Sequence, residues 1–179
     1  MTDLPRLLSS RTVYTGRLFN VELDELEMPN GVVAKRESLR HPGAVCMVPV
    51  DDEGRLLLVT QYRHSAGRRL LEIPAGTLEP GEEPEPAAIR ELQEEVGMIP
   101  GRVKALGGMW VAPGYTTEYI HIFVCTELRP SKLSADDDED LEVFPTTVED
   151  ALAMIDSGEI CDAKSVIGVL RWLRSIGGR

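Results

Sequence analysis

Gly76-Thr77-Leu78-Glu79-Pro80-Gly81-Glu82-Glu83-Pro84-Glu85-Pro86-Ala87-Ala88-Ile89-Arg90-Glu91-Leu92-Gln93-Glu94-Glu95-Val96-Gly97-Met98 is the stretch on which the reading of this chain turns. On an α-helix each residue advances about 100°, so with Glu91 at zero, Glu94 falls near about -60° and Glu95 near about +40°. Three carboxylates therefore share one face. Ile89, Leu92 and Val96 cluster on the other side and are expected to hold the helix against a core. Ala87 and Ala88 border the carboxylate face, where their small side chains are expected to leave room for a bulky ligand. Pro84 and Pro86 suit only a first helical turn, where a missing N–H costs nothing. Glu82, Glu83 and Glu85 stand where the positive helix end favours anions, and Gly97 is placed for a left-handed cap. Such a face is ordinarily a solvated acidic surface with Arg90 bonding to Glu94. It also offers the hard oxygen ligands that Mg²⁺ takes alongside water and phosphate oxygens.

Outward from this segment, 179 residues of ordinary hydrophobic content suit one compact domain with a real core. A net charge of -11 argues against a nucleic-acid surface, which needs a basic footprint. Cys46, Cys125 and Cys161 are odd in number and lack C-x-x-C spacing, so neither a disulfide framework nor a zinc site is expected. A reducing cytoplasm is the natural compartment. No signal peptide or membrane span is apparent. Residues up to about 10 read as a frayed lead-in, followed by strands over 12–18 and 19–28, a Pro29-Asn30-Gly31 hairpin turn and a returning strand over 32–39. Residues 44–50 and 55–62 read as buried strands side by side, and 70–73 as a short strand halted by Pro74. Residues 75–83 read as a loop. Further strands are expected over 102–111 and 118–128, a helix over 148–156 between Thr147 and Gly158, and another after Asp162 with Val166, Val169, Leu170 and Leu173 on one stripe. Trp110 and Trp172 sit in apolar runs that suggest core.

Gly76, Glu82, Arg90, Glu91, Leu92, Glu94, Glu95, Gly97 and Met98 match every fixed position of the Nudix hydrolase signature, and the chain is identified as a member of that family. Gln61-Tyr62-Arg63, Leu71-Glu72-Ile73-Pro74-Ala75-Gly76, Pro113 beyond Gly97, and Asp162-Ala163-Lys164-Ser165-Val166-Ile167 resemble its ADP-ribose pyrophosphatase branch. The resemblance implies an α/β fold, a Nudix-type α/β/α sandwich with a mixed sheet and an N-terminal antiparallel strand unit. Residues 1–40 would form that unit, through which members of the branch commonly exchange strands as homodimers, and 41–179 the hydrolase domain. It implies Mg²⁺, with Mn²⁺ as substitute, held by Glu91, Glu95, Glu94 and the carbonyl of Ala75, while Glu82 orients Arg90 or reaches the metal through water.

Arg63 and then Arg36 are the best phosphate candidates, since guanidinium forks suit phosphate oxygens. Pro113 and its loop are expected to contribute to specificity. For the base that activates water, the branch draws on an acidic loop after the last central strand, and Glu139 is chosen within Asp136-Asp137-Asp138-Glu139-Asp140, ahead of Asp137. The expected reaction is hydrolysis of ADP-ribose to AMP and ribose 5-phosphate. GDP-mannose or another nucleotide sugar is the alternative substrate. A catalytically silent domain that senses nucleotides is the rival of another class, disfavoured by the intact set of glutamates.

Overall fold

The computed structural model describes residues 4–133 and 141–177. Two compact units form, one from the chain up to Gly43 with Trp110–Tyr119, the other from Ala44–Met109 with the chain from Ile120 onward.

In the first unit, β1 (Arg6–Thr15), β2 (Asn20–Glu27) and β3 (Val33–Arg40) make an antiparallel sheet in that order. The β2–β3 turn is the expected one: Gly31 takes φ +80°, which only glycine adopts without strain, and Asn30 Oδ1 accepts the Val32 N–H. From Arg6 on, the lead-in is not frayed. Residues from Arg6 onward pair with β2, Arg6 standing opposite Glu27 and joined to it by an ion pair. An extended chain beside an open strand edge gains ladder bonds whatever its own periodicity. Thr117 ties the 110–119 loop to this unit, accepting the His41 N–H and donating toward His41 O. Trp110 is 56% exposed, not core; it packs edge-on against Tyr119.

In the second unit, β7 (Ala75–Thr77), β4 (Ala44–Pro49), β9 (Tyr119–Pro130) and β8 (Met98–Trp110) form one sheet in that order. It is mixed, since β4 runs antiparallel to β7 and parallel to β9. A second sheet has the order β10 (Glu142–Thr146), β5 (Leu56–Arg63), β6 (Arg68–Glu72). The two apolar runs expected side by side thus lie in different sheets, joined in pairing at a Val50–Leu56 bridge. Continuous burial fits strands covered on both faces and says nothing of which strands are neighbours. Neither β7, inside the expected loop, nor β10 was visible in the pattern, both being short segments that depend on their partners.

The alternation along β4 divides the core. Cys46 and Val48 join Ile122, Val124, Val169 and Trp172 on one side, while Val45 and Met47 join Phe123, Ala87, Ala88 and Leu92 on the other. One helix, α1 (Pro84–Glu95), covers the latter side; α2 (Val148–Ser157) and α3 (Ala163–Ile176) contribute to the former. This is an α/β/α arrangement. Thr147 and Asp162 cap α2 and α3 as expected, and Gly158 closes α2 at φ +80°. Leu170 leaves the expected stripe, being 45% exposed. The buried line of α3 is Ser165, Gly168, Val169 and Trp172, whose small members admit the helix closely; a Cβ on Gly168 would lie 2.7 Å from Ile73 Cδ1. Burial raises the thiols of Cys46 and Cys125 to about 12, and all three cysteines are free. Among the described residues no helix is long and apolar enough to cross a membrane.

Candidate active site

Two of the α1 carboxylates do not point away from the core. Glu91 and Glu95 are buried, 9% and 6% exposed, on the same arc as Ala87, Ala88 and Leu92. Ala87 and Ala88 are fully buried against β4 and β9, so they let the helix lie close to the sheet and do not border open ligand space. Glu95 Oε2 accepts the Ala75 N–H at 3.0 Å. Glu91 lies over Gly76 so tightly that an added Cβ would meet its carboxylate carbon at 1.9 Å. No side chain fits there, which is the local reason for glycine.

Arg90 organises the acids around it. Its Nε and Nη2 fork onto the two oxygens of Glu82, each at 2.9 Å, while Nη1 lies 2.8 Å from both Glu91 and Glu94. Glu82 also accepts the Glu79 N–H, which closes the loop before the helix. The fork to Arg90 is the main reason that the Glu82 carboxyl titrates below its ordinary range. The same fork, with the field of Glu91, raises Arg90 against the cost of its burial. As placed, Arg90 Nη1 bridges two of the carboxylates, and among the described residues no three acids, histidines or cysteines are gathered for an ion. The donor chemistry nonetheless suits a hard cation. Glu82, Glu91, Glu94 and Glu95 are four carboxylates in a segment with one guanidinium, and the cradle at Gly76 holds both Glu91 oxygens close over the backbone.

A NUDIX domain profile matches residues 39–166, and a nucleoside diphosphate sugar hydrolase N-terminal domain profile matches residues 6–39. The chain belongs to the Nudix family. Its relatives include an ADP-ribose pyrophosphatase of Bacillus subtilis, 38% identical over 92% of this chain and 90% of that protein. An ADP-ribose pyrophosphatase of Mycobacterium tuberculosis is 38% identical over 91% of this chain and 80% of its own. A crystal structure of an ADP compounds hydrolase superposes with a TM-score of 0.87 at 29% identity, covering 99% of this chain and 98% of that one. Nudix hydrolases generally need a divalent metal, and the residues here fit one.

The other expected residues of this Nudix protein belong to different elements. Arg63, at the end of β5, is engaged by Glu72. Arg36 lies on β3 of the first unit and donates to its neighbour's carbonyl, Lys35 O. Pro113 is exposed in the loop of that unit. Glu139 and Asp137 lie outside the described residues. Sequence reasoning passed over Glu72 and Lys164 as chemistry, although both sat inside quoted motifs. A buried acid beside an arginine and a lysine, distant in sequence, leaves no periodic signal. From the cradle we predict that Gly76→Ala displaces Glu91 and lowers kcat/KM at least about 100-fold, a misplacement effect of the size met when reacting groups shift. Circular dichroism should remain that of the folded protein, and wild-type turnover by the variant would contradict this account.

Proposed function

We propose that this chain is a Mg²⁺-dependent pyrophosphohydrolase that cleaves ADP-ribose to AMP and ribose 5-phosphate. Water adds to one phosphorus and the bridging P–O bond breaks. The observation that carries the reading is the seating of Glu91 and Glu95 on the backbone of Ala75 and Gly76, an oxygen-rich notch built with no room for a side chain. Glu91, Glu95, Glu94 and the Ala75 carbonyl would hold the cation, which supplies Lewis acidity toward the diphosphate and toward water. Arg90, locked on Glu82, keeps Glu91 and Glu94 in place. Arg63, with Arg36 and the Pro113 loop, would bind the substrate, and Glu139 would take the proton from the attacking water. Free thiols support a reducing, cytoplasmic setting.

A homodimer built on the N-terminal strands goes with this reading. β1 is exposed along its whole length, and Leu7, Val13 and Tyr14 on it are about half accessible, as if awaiting a covering surface. Sedimentation should give twice the chain mass, and a monomer at assay concentration would remove the dimer.

The reading is tested with ADP-ribose, GDP-mannose, ADP-glucose, NADH and dinucleoside polyphosphates, each with Mg²⁺, Mn²⁺ or EDTA. ADP-ribose should turn over fastest, and chelation should abolish it. Preference for GDP-mannose would keep the chemistry and replace the substrate, whereas no turnover of any compound would leave a nucleotide-binding domain. Glu95→Gln should remove most Mg²⁺-dependent activity from a folded protein. Glu139→Gln should lower kcat by about two orders of magnitude or more, as loss of a general base does; a near-normal rate would take Glu139 out of the mechanism.

A further inference from the structure

A second charge cluster stands apart from α1. Glu72, at the end of β6, is 2% exposed. It accepts Arg63 Nε at 3.1 Å on one oxygen and Arg63 Nη2 at 2.6 Å on the other, and it also accepts Lys164 Nζ. Lys164 Nζ donates onward to Asp162 Oδ2 at 2.9 Å, the oxygen that caps α3 through the Ser165 N–H. Asp162 Oδ1 is buried without a hydrogen bond.

Two features are unlike a simple structural stitch. Lys164 occupies the first turn of α3, the positive end of the helix dipole, where a cation is disfavoured. Buried ion pairs also add little net stability, because desolvation offsets their attraction. The exposures are graded in one direction: the side chains of Glu72, Lys164 and Arg63 are 2%, 11% and 39% exposed. The Nε/Nη2 edge of Arg63 is therefore anchored on a buried acid, while 39% of the side chain stays accessible to solvent. Burial opposes the charge of Arg63, but the hydrogen bonds and field of Glu72, then the fields of Glu95 and Asp162, raise its pKa. Glu72 stands three residues before Ala75, whose N–H Glu95 accepts, so the cluster adjoins the strand end on which α1 seats its carboxylates.

We infer that Lys164, acting through Glu72, is a positioning residue that holds Arg63 with its remaining edge outward to take the substrate's diphosphate. Lys164 divides the charge of Glu72 and occupies Asp162. Without its ammonium, the buried Glu72 and the partly buried Asp162 compete for Arg63, draw the guanidinium inward and weaken its grip on phosphate oxygens. The inference rests on the diphosphatase reading.

The test compares kcat and KM for ADP-ribose, at saturating Mg²⁺, in wild type, Lys164→Met, Lys164→Arg, Arg63→Ala and the double variant Arg63→Ala/Lys164→Met. Calorimetric binding of ADP is measured alongside. For the loss of one charge-assisted hydrogen-bond arrangement, Lys164→Met should raise KM about tenfold with kcat within about twofold, and Lys164→Arg should restore most of the loss. In the Arg63→Ala background, Lys164→Met should change KM no further, because the two act as one unit. An unchanged KM in Lys164→Met, or a rise that persists without Arg63, overturns the inference. If Lys164→Met fails to fold by circular dichroism, Glu72→Gln replaces it in the same cycle with the same expected and overturning results. If wild type hydrolyses no diphosphate, the functional reading fails, and the positioning claim is judged on ADP affinity alone; equal affinity in wild type and Lys164→Met, or no binding at all, overturns it.

Discussion

The contact between the Glu91 carboxylate and the backbone at Gly76 constrains everything around it. A charged group at that depth must be satisfied by donors or cations, since an uncompensated buried charge costs far more than packing returns. The protein meets this requirement with Arg90 beside Glu91, the Ala75 N–H on Glu95, and Glu82 fixing Arg90 from behind. The helix could not approach so closely without alanines at 87 and 88, nor the strand without glycine at 76. Small residues here serve a carboxylate, by allowing it to be buried.

Features governed by neighbours a few positions away were legible in the sequence. Thr147 and Asp162 cap helices, Gly31, Gly97 and Gly158 adopt positive φ, and Pro84 opens α1. The helical arithmetic correctly grouped Glu91 and Glu95. It put them on the wrong side relative to the core, because the rule that apolar residues face inward assumes that the acids have no partners there. β7 and β10 escaped notice for a different reason: three and five residues carry too little periodicity, and their strand character comes from β4 and β5. Trp110 shows the limit of composition, an apolar residue left accessible beside Tyr119.

The two arginines at the centre of the charge networks are used differently. Arg90 is ringed by carboxylates on its Nε, Nη1 and Nη2 atoms and is committed to holding them. Arg63 rests one edge on Glu72 and keeps a substantial part in solvent. A net charge of -11 would repel an anionic ligand at long range, and salt would weaken that repulsion. Attraction must therefore be arranged locally, at groups whose counter-charges are buried.

The residues that would hold the cation lie within a short continuous segment, but the platform beneath them does not. β4 is completed by parallel pairing with β9, and the Ile73 N–H, just ahead of Pro74 and Ala75, is satisfied by Ser165 Oγ from 92 positions away. Contacts of such long sequence separation close late, because the entropy of the intervening loop is lost before they form. During synthesis the glutamates of α1 can become helical early, yet the strand end against which they seat is secured only once α3 has been made. A ribosome-bound chain halted before Ser165 would hold every residue of the signature and still lack the surface that gives them their geometry.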